Sequence, residues 1–176
     1  MKKLVGAIIL VTVILMLTFS FSGCTQKVAE KMVEKAIEEA ASKEGESVDV
    51  NVEESSISIK DKEGGEINIG SAKVPEGWPS AVPVNDKIQI GFSGSQKNDG
   101  KTNWNITGTY NGSGEELFNW YKQKIGGWNI DSETVTDSRD GGKAYSIQAN
   151  NDKYELSLVI TDSNGEVTVM LNINEK

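Results

Sequence analysis

The sequence predicts an α+β fold, on the strength of three patterns. Two stretches carry apolar residues at helical spacing, many short runs alternate apolar with polar side chains, and clusters of Gly, Asn, Asp and Ser separate those runs. Their order predicts an N-terminal amphipathic helix with a three-stranded meander over residues 24–70. A proline-containing connector follows over 71–85. An antiparallel sheet of about six strands with one helix across a face completes the chain over 86–176.

Val28, Met32, Val33, Ile37, Ala40 and Ala41 fall on one stripe, so residues 26–43 are expected as an amphipathic helix ending before Gly45. The stripe needs a partner surface. Val48, Val50 and Val52, then Ile57 and Ile59, then Ile67 and Ile69 alternate with polar residues and predict three one-faced strands, which are stable only if something packs on them. The helix is the nearest cover. Asp61, Glu63 and Glu66 beside Gly64-Gly65 suggest a cation loop, but they lack EF-hand ligand spacing, so no metal is expected. Pro75, Pro79 and Pro83 cluster around Trp78 and predict an ordered, extended connector, because proline fixes its own backbone and extends the residue before it.

Lys87–Ser95 and Thr102–Tyr110 are read as a hairpin through Asn98-Asp99-Gly100, with Ile88, Ile90 and Phe92 on one side and Trp104, Ile106, Gly108 and Tyr110 sharing a parity. Gly108 in that row signals a bulge or a close approach. Ser113-Gly114-Glu115-Glu116 is a capping box, in which hydroxyl and carboxylate each satisfy an orphan amide. A helix starts there, buries Leu117, Phe118, Tyr121 and Ile125, and stops at Gly126-Gly127. Four more strands follow, at Trp128–Thr136, Ala144–Ala149, Tyr154–Thr161 and Val167–Ile173, with turn-forming residues between them.

The N-terminus has its own pattern. Lys2 and Lys3 precede the apolar run Leu4–Leu17, and small residues Ser22 and Gly23 precede Cys24, the only cysteine, as a cleavable signal requires. Phe21-Ser22-Gly23-Cys24 resembles the lipobox of prokaryotic lipoproteins, with Phe21 where Leu is commonest. The resemblance implies removal of residues 1–23 and acylation of Cys24, with palmitate among the acyl chains. Two chains give stable anchoring where one is marginal. An ordinary secretory peptide with a stray thiol, a chance cysteine and an uncleaved anchor stay open, the last because Leu4–Phe21 is barely long enough to span a bilayer. These readings all expect the bulk of the chain on the extracytoplasmic side, and the lipidated one anchors it to the cell membrane.

A second likeness covers about half of the mature chain. Pro75-Glu76-Gly77-Trp78-Pro79, Glu116-Leu117, Trp120-Tyr121-Lys122 and Gly127-Trp128 look like small uncharacterised extracytoplasmic lipoproteins. That likeness implies fold and location and brings no catalytic residues.

Charge and composition bound the chemistry. The net charge is −8, and loss of residues 1–23 would remove two lysines and no acid, making it −10. Such a balance repels nucleic-acid phosphates, so no nucleic acid is expected as a partner. The chain has no histidine, which removes the commonest general base and metal ligand. Glu115 and Glu116 are accounted for by the cap, no phosphate loop is present, and no catalytic, cofactor or metal residue is assigned. Trp78 and Trp120 are the candidate ligand or partner contacts, because aromatic faces suit sugars, peptides and apolar ligands. Asn105-Ile106-Thr107 and Asn111-Gly112-Ser113 are possible glycosylation sites, Asn111 the better placed. The expected function is therefore a membrane-anchored, non-catalytic binding or interaction module for an unknown protein, glycan or small ligand. The alternatives are an accessory subunit of a membrane transporter or assembly complex and, behind it, a carboxylate-dependent hydrolase.

Overall fold

The structure is a computed structural model that describes residues 26–43, 47–53, 56–137 and 141–176. Cys24 and the segment 1–23 lie outside the described residues. Among these residues two helices, α1 (Gln26–Lys43) and α2 (Gly114–Lys124), accompany nine strands: β1 (Val48–Glu53), β2 (Ser56–Asp61), β3 (Glu66–Gly70), β4 (Ile88–Asn98), β5 (Lys101–Tyr110), β6 (Asn129–Asp137), β7 (Lys143–Asn150), β8 (Tyr154–Ser163) and β9 (Glu166–Glu175).

All nine strands form one antiparallel sheet in the order β1-β2-β3-β4-β5-β9-β8-β7-β6. This corrects the expected α+β arrangement of a helix with a small meander followed by a separate six-stranded sheet. The fold is mostly β, with two small helices. The joint is the β3–β4 ladder, in which Ile67 faces Gly94 and Ile69 faces Phe92. A free β3 would leave a row of amides and carbonyls unpaired, and β4 satisfies them. The connector makes this possible by doubling back, with Ala72 donating to the Ile90 carbonyl at 3.1 Å. It is not extended as expected. Trp78 donates to Pro75 and Val82 to Pro79 in consecutive turns, and Gly77 takes φ +73°, which glycine adopts without Cβ strain.

The expected N-terminal amphipathic helix, with its stripe serving as the cover of a module, is not seen. Instead, residues 26–43 form a helix that packs on β1 at one end of the continuous nine-stranded sheet, where Ile37 and Ala41, the stripe residues whose side chains are described, are buried.

Directly opposed residues share a face, so the ladders assign sides to every strand. The front face carries Tyr145 and Ile147 of β7, Leu156, Leu158 and Ile160 of β8, Val167, Val169, Leu171 and Ile173 of β9, and Trp104 and Ile106 of β5. Helix α2 and the connector residue Val82 complete this core. A second core, of Ile37, Val50, Ile57 and Ile59, belongs to the opposite face. The sheet thus buries one side over β1–β3 and the other over β4, β5 and β7–β9, and the two cores share no residue.

Strand β4 makes the exchange. Its register shifts between Ile90 and Phe92, a β-bulge that reverses the side-chain phase. Ile88 and Ile90 face front with Tyr110 and Gly108, while Phe92 opposes Ile69 and Thr107 on the back. The expectation that Ile88, Ile90 and Phe92 share a side is corrected by this single extra residue. Behind the bulge, Ser93 and Ser95 take the front positions. Ser93 is fully buried, accepts from Asn68 Nδ2 at 3.2 Å and donates to the Lys73 carbonyl at 2.6 Å. Buried hydroxyls need such partners, and the seam between the cores is accordingly polar and satisfied.

Candidate functional site

A concavity lies on the front face, where the β2–β3 turn, the connector and the β4–β5 hairpin meet. Its volume is about 310 Å3, and Trp104, Lys60, Glu66, Glu76 and Lys97 line it. It opens to solvent, and its volume is at the small end of the range for small-ligand sites.

Each wall has a local cause. The β2–β3 turn is tied by Asp61, whose Oδ1 accepts from the amides of Glu63 at 2.9 Å and Gly65 at 2.7 Å. That carboxylate therefore has a structural task within the turn. Gly65 leaves room for this carboxylate, since a Cβ would stand 2.5 Å from Asp61 Oδ2 and push the side chain aside. The connector presents Glu76 across from this turn. Its amide donates to Glu66 Oε2 at 2.9 Å, and its carbonyl accepts from Trp104 Nε1 at 3.3 Å. Trp104 is buried and sits edge-on to Tyr154, so the indole is a fixed wall of the cleft.

One lysine bridges two carboxylates. Lys60 Nζ lies 3.1 Å from Glu76 Oε2 and 3.8 Å from Glu66 Oε1. The hydrogen bond to Glu76, with the charges of Glu66 and Glu76, holds the Lys60 ammonium above its usual pKa. Four carboxylates, of Asp61, Glu63, Glu66 and Glu76, line the cleft beside two lysines, Lys60 and Lys97. A ligand bearing an amine therefore meets a favourable field. Among the described residues, no group of three or more acidic, histidine or cysteine side chains is placed to hold a metal ion.

The two candidate tryptophans do not line this cleft. Trp78 is partly buried against the main core, and its Nε1 donates to the Val82 carbonyl at 2.6 Å, which closes the connector turn. Trp120 is also partly buried against that core. It packs edge-on to Tyr121 at 4.8 Å, with Lys124 Nζ 5.4 Å from its ring centre. Trp104 is the aromatic residue that sequence reasoning missed as a cleft wall. Its alternation with Ile106 indicated core, and only the chain's return at Glu76-Gly77 exposes one end of it to a cleft.

Asn111 is exposed in the turn between β5 and α2, where a modifying enzyme has access. Asn105 is held within β5, and its Oδ1 is enclosed with no hydrogen-bond partner among the described residues. Half of the expected capping box is present: Ser113 Oγ accepts from the Glu116 amide at 3.2 Å. The Glu116 carboxylate turns instead to Lys87 Nζ at 3.0 Å, which together with the Tyr110 hydroxyl holds its pKa low.

No protein-family model, curated protein or solved structure matches the chain.

Proposed function

We propose that the chain is a membrane-anchored extracytoplasmic lipoprotein acting as a non-catalytic binding module, with the front cleft as its ligand site. The observation that carries the anchor is Cys24, the sole cysteine, directly after Ser22-Gly23 and two residues before the first described helix at Gln26. Such spacing would hold the folded chain close to the bilayer. Binding at the cleft is supported by the fixed indole of Trp104 beside the Lys60–Glu76 pair. A chain without histidine suits recognition better than acid–base catalysis. An accessory subunit of a membrane complex is the second reading, favoured by the open edge strand β6.

The test is a titration of the purified protein in detergent micelles with amine-bearing and neutral cell-wall oligosaccharides, followed by amide and indole NMR shifts. Saturable shifts at Gly65, Gly77 and the Trp104 indole, stronger for the amine-bearing sugars, are expected. Shifts confined to other surfaces, or turnover of the sugar abolished by one Asp or Glu substitution, would overturn the reading.

A further inference from the structure

The two ends of the sheet are finished differently. At the β1 end, α1 packs against the strand, and the Val52 amide donates to Glu34 Oε1 at 3.0 Å, so the outer edge is partly occupied. At the other end stands β6, nine residues long and exposed along its whole length. Among the described residues, no group outside β7 bonds the backbone of β6. Open edges of this kind are templates for another strand.

β6 also lacks the cover that its neighbours have. Ile130 opposes Ala149, and Val135 opposes Tyr145, so both stand on the front face in register with buried core rows. Helix α2 packs over β7 and β8 and stops short of them, which leaves Ile130 42% and Val135 53% exposed. Between and beyond them on the same face come Glu133 and Asp137, and all charged residues of the strand are acidic. Glu133 is matched within the chain by Lys122 at 2.7 Å, while Asp137 forms no ion pair with the described residues.

We propose that β6 accepts an extended, basic segment of a partner protein as a tenth strand of the sheet. Facing residues across an antiparallel pair lie about 4.5–5.5 Å apart, so β6 specifies its partner row by row. The incoming strand places apolar side chains opposite Ile130 and Val135 and basic ones opposite Glu133 and Asp137. Small hydroxyl residues face Ser132, Thr134 and Thr136 on the back. The charges of β6 reject a second acidic copy of the same edge, which would set carboxylate against carboxylate. This inference is independent of the cleft.

The probe is a fluorescent peptide, Lys-Thr-Val-Thr-Lys-Thr-Val, titrated into the protein by anisotropy, with hydrogen exchange read on the β6 amides. Saturable binding with new protection of β6 is expected. The double variant Val135→Lys/Asp137→Lys, altered only at exposed positions, should bind about tenfold more weakly, and should gain affinity for the peptide with Glu in place of Lys. No protection of β6, or binding that the double variant leaves unchanged, would overturn the proposal. So would protection of β6 that grows with protein concentration alone, since a second copy would then be the occupant.

Discussion

Replacing Gly108 by alanine should unseat the β4 bulge, and the size of the effect follows from the surroundings. A Cβ at this position would overlap the Gln89 carbonyl oxygen and lie 3.0 Å from Ile88 Cγ2. The oxygen is backbone, held in the ladder on the Ile90–Gly108 side of the register shift, and cannot swing aside as a side-chain tip could. Overpacking of a close-packed site costs about 1–3 kcal/mol, and a backbone contact belongs at the upper end. About 3 kcal/mol in a chain of this length lowers the melting temperature by roughly 6–12 °C. Gly127→Ala is the matched control: it meets no atom within 4 Å and should change stability by less than about 0.5 kcal/mol. Differential scanning calorimetry of both variants measures the contrast. Equal melting temperatures for Gly108→Ala and the original chain would refute the placement of the bulge, and with it the exchange of buried faces at β4.

Three further outcomes follow from the cores and caps. Leu158→Ala empties a fully buried site in the middle of the main core and should cost about 3–5 kcal/mol by urea unfolding, whereas Val135→Ala should cost under about 0.5 kcal/mol because β6 is uncovered. Tyr121 is completely buried, its hydroxyl makes no well-formed hydrogen bond among the described residues, and burial, only partly offset by the nearby Asn85 backbone, pushes its phenol well above the usual range. The unfolded chain ionises this group near pH 10 and the folded chain does not, so stability is full below that pH and falls as pH rises beyond it. Tyr121→Phe should be no less stable at pH 7 and should lose part of the alkaline decline, as pH-dependent melting would show. Glu116 is the opposite case, with its carboxyl held low by Lys87 and Tyr110. Its contribution is present above the ordinary carboxylate pKa and disappears as pH falls through the folded value. A carboxyl NMR titration should find Glu116 below its usual range, and Lys87→Met should return it.

Local structure was legible in the sequence, and long-range assembly was not. The β2–β3 turn at Gly64-Gly65, the α2 cap at Ser113 and the buried positions Leu117, Phe118 and Tyr121 all follow from short-range chemistry that periodicity exposes. The β3–β4 pairing does not, because three prolines between the strands read as a boundary while their turns carry the chain back alongside β3. Phe92 faces away from Ile88 and Ile90 because a bulge adds one residue, which leaves no trace in composition. Gly108 carried the only local hint of it, as a gap in an otherwise bulky row. The cleft was hidden for a similar reason: Lys60, Glu76 and Trp104 are remote in sequence and meet only through the returning connector. The exposure of β6 depends on where α2 ends over the sheet, which the sequence of β6 does not encode.

The central claim is that Cys24 anchors this binding module to the membrane, and the intact mass of the protein recovered from the membrane fraction tests it most directly. The account predicts a chain that begins at Cys24 and carries diacylglycerol-linked lipid, together with a Cys24→Ala variant that is either released in soluble form or left as the uncleaved precursor. An unlipidated mass beginning at Met1, or membrane retention and mass unchanged by Cys24→Ala apart from the substitution itself, would contradict it.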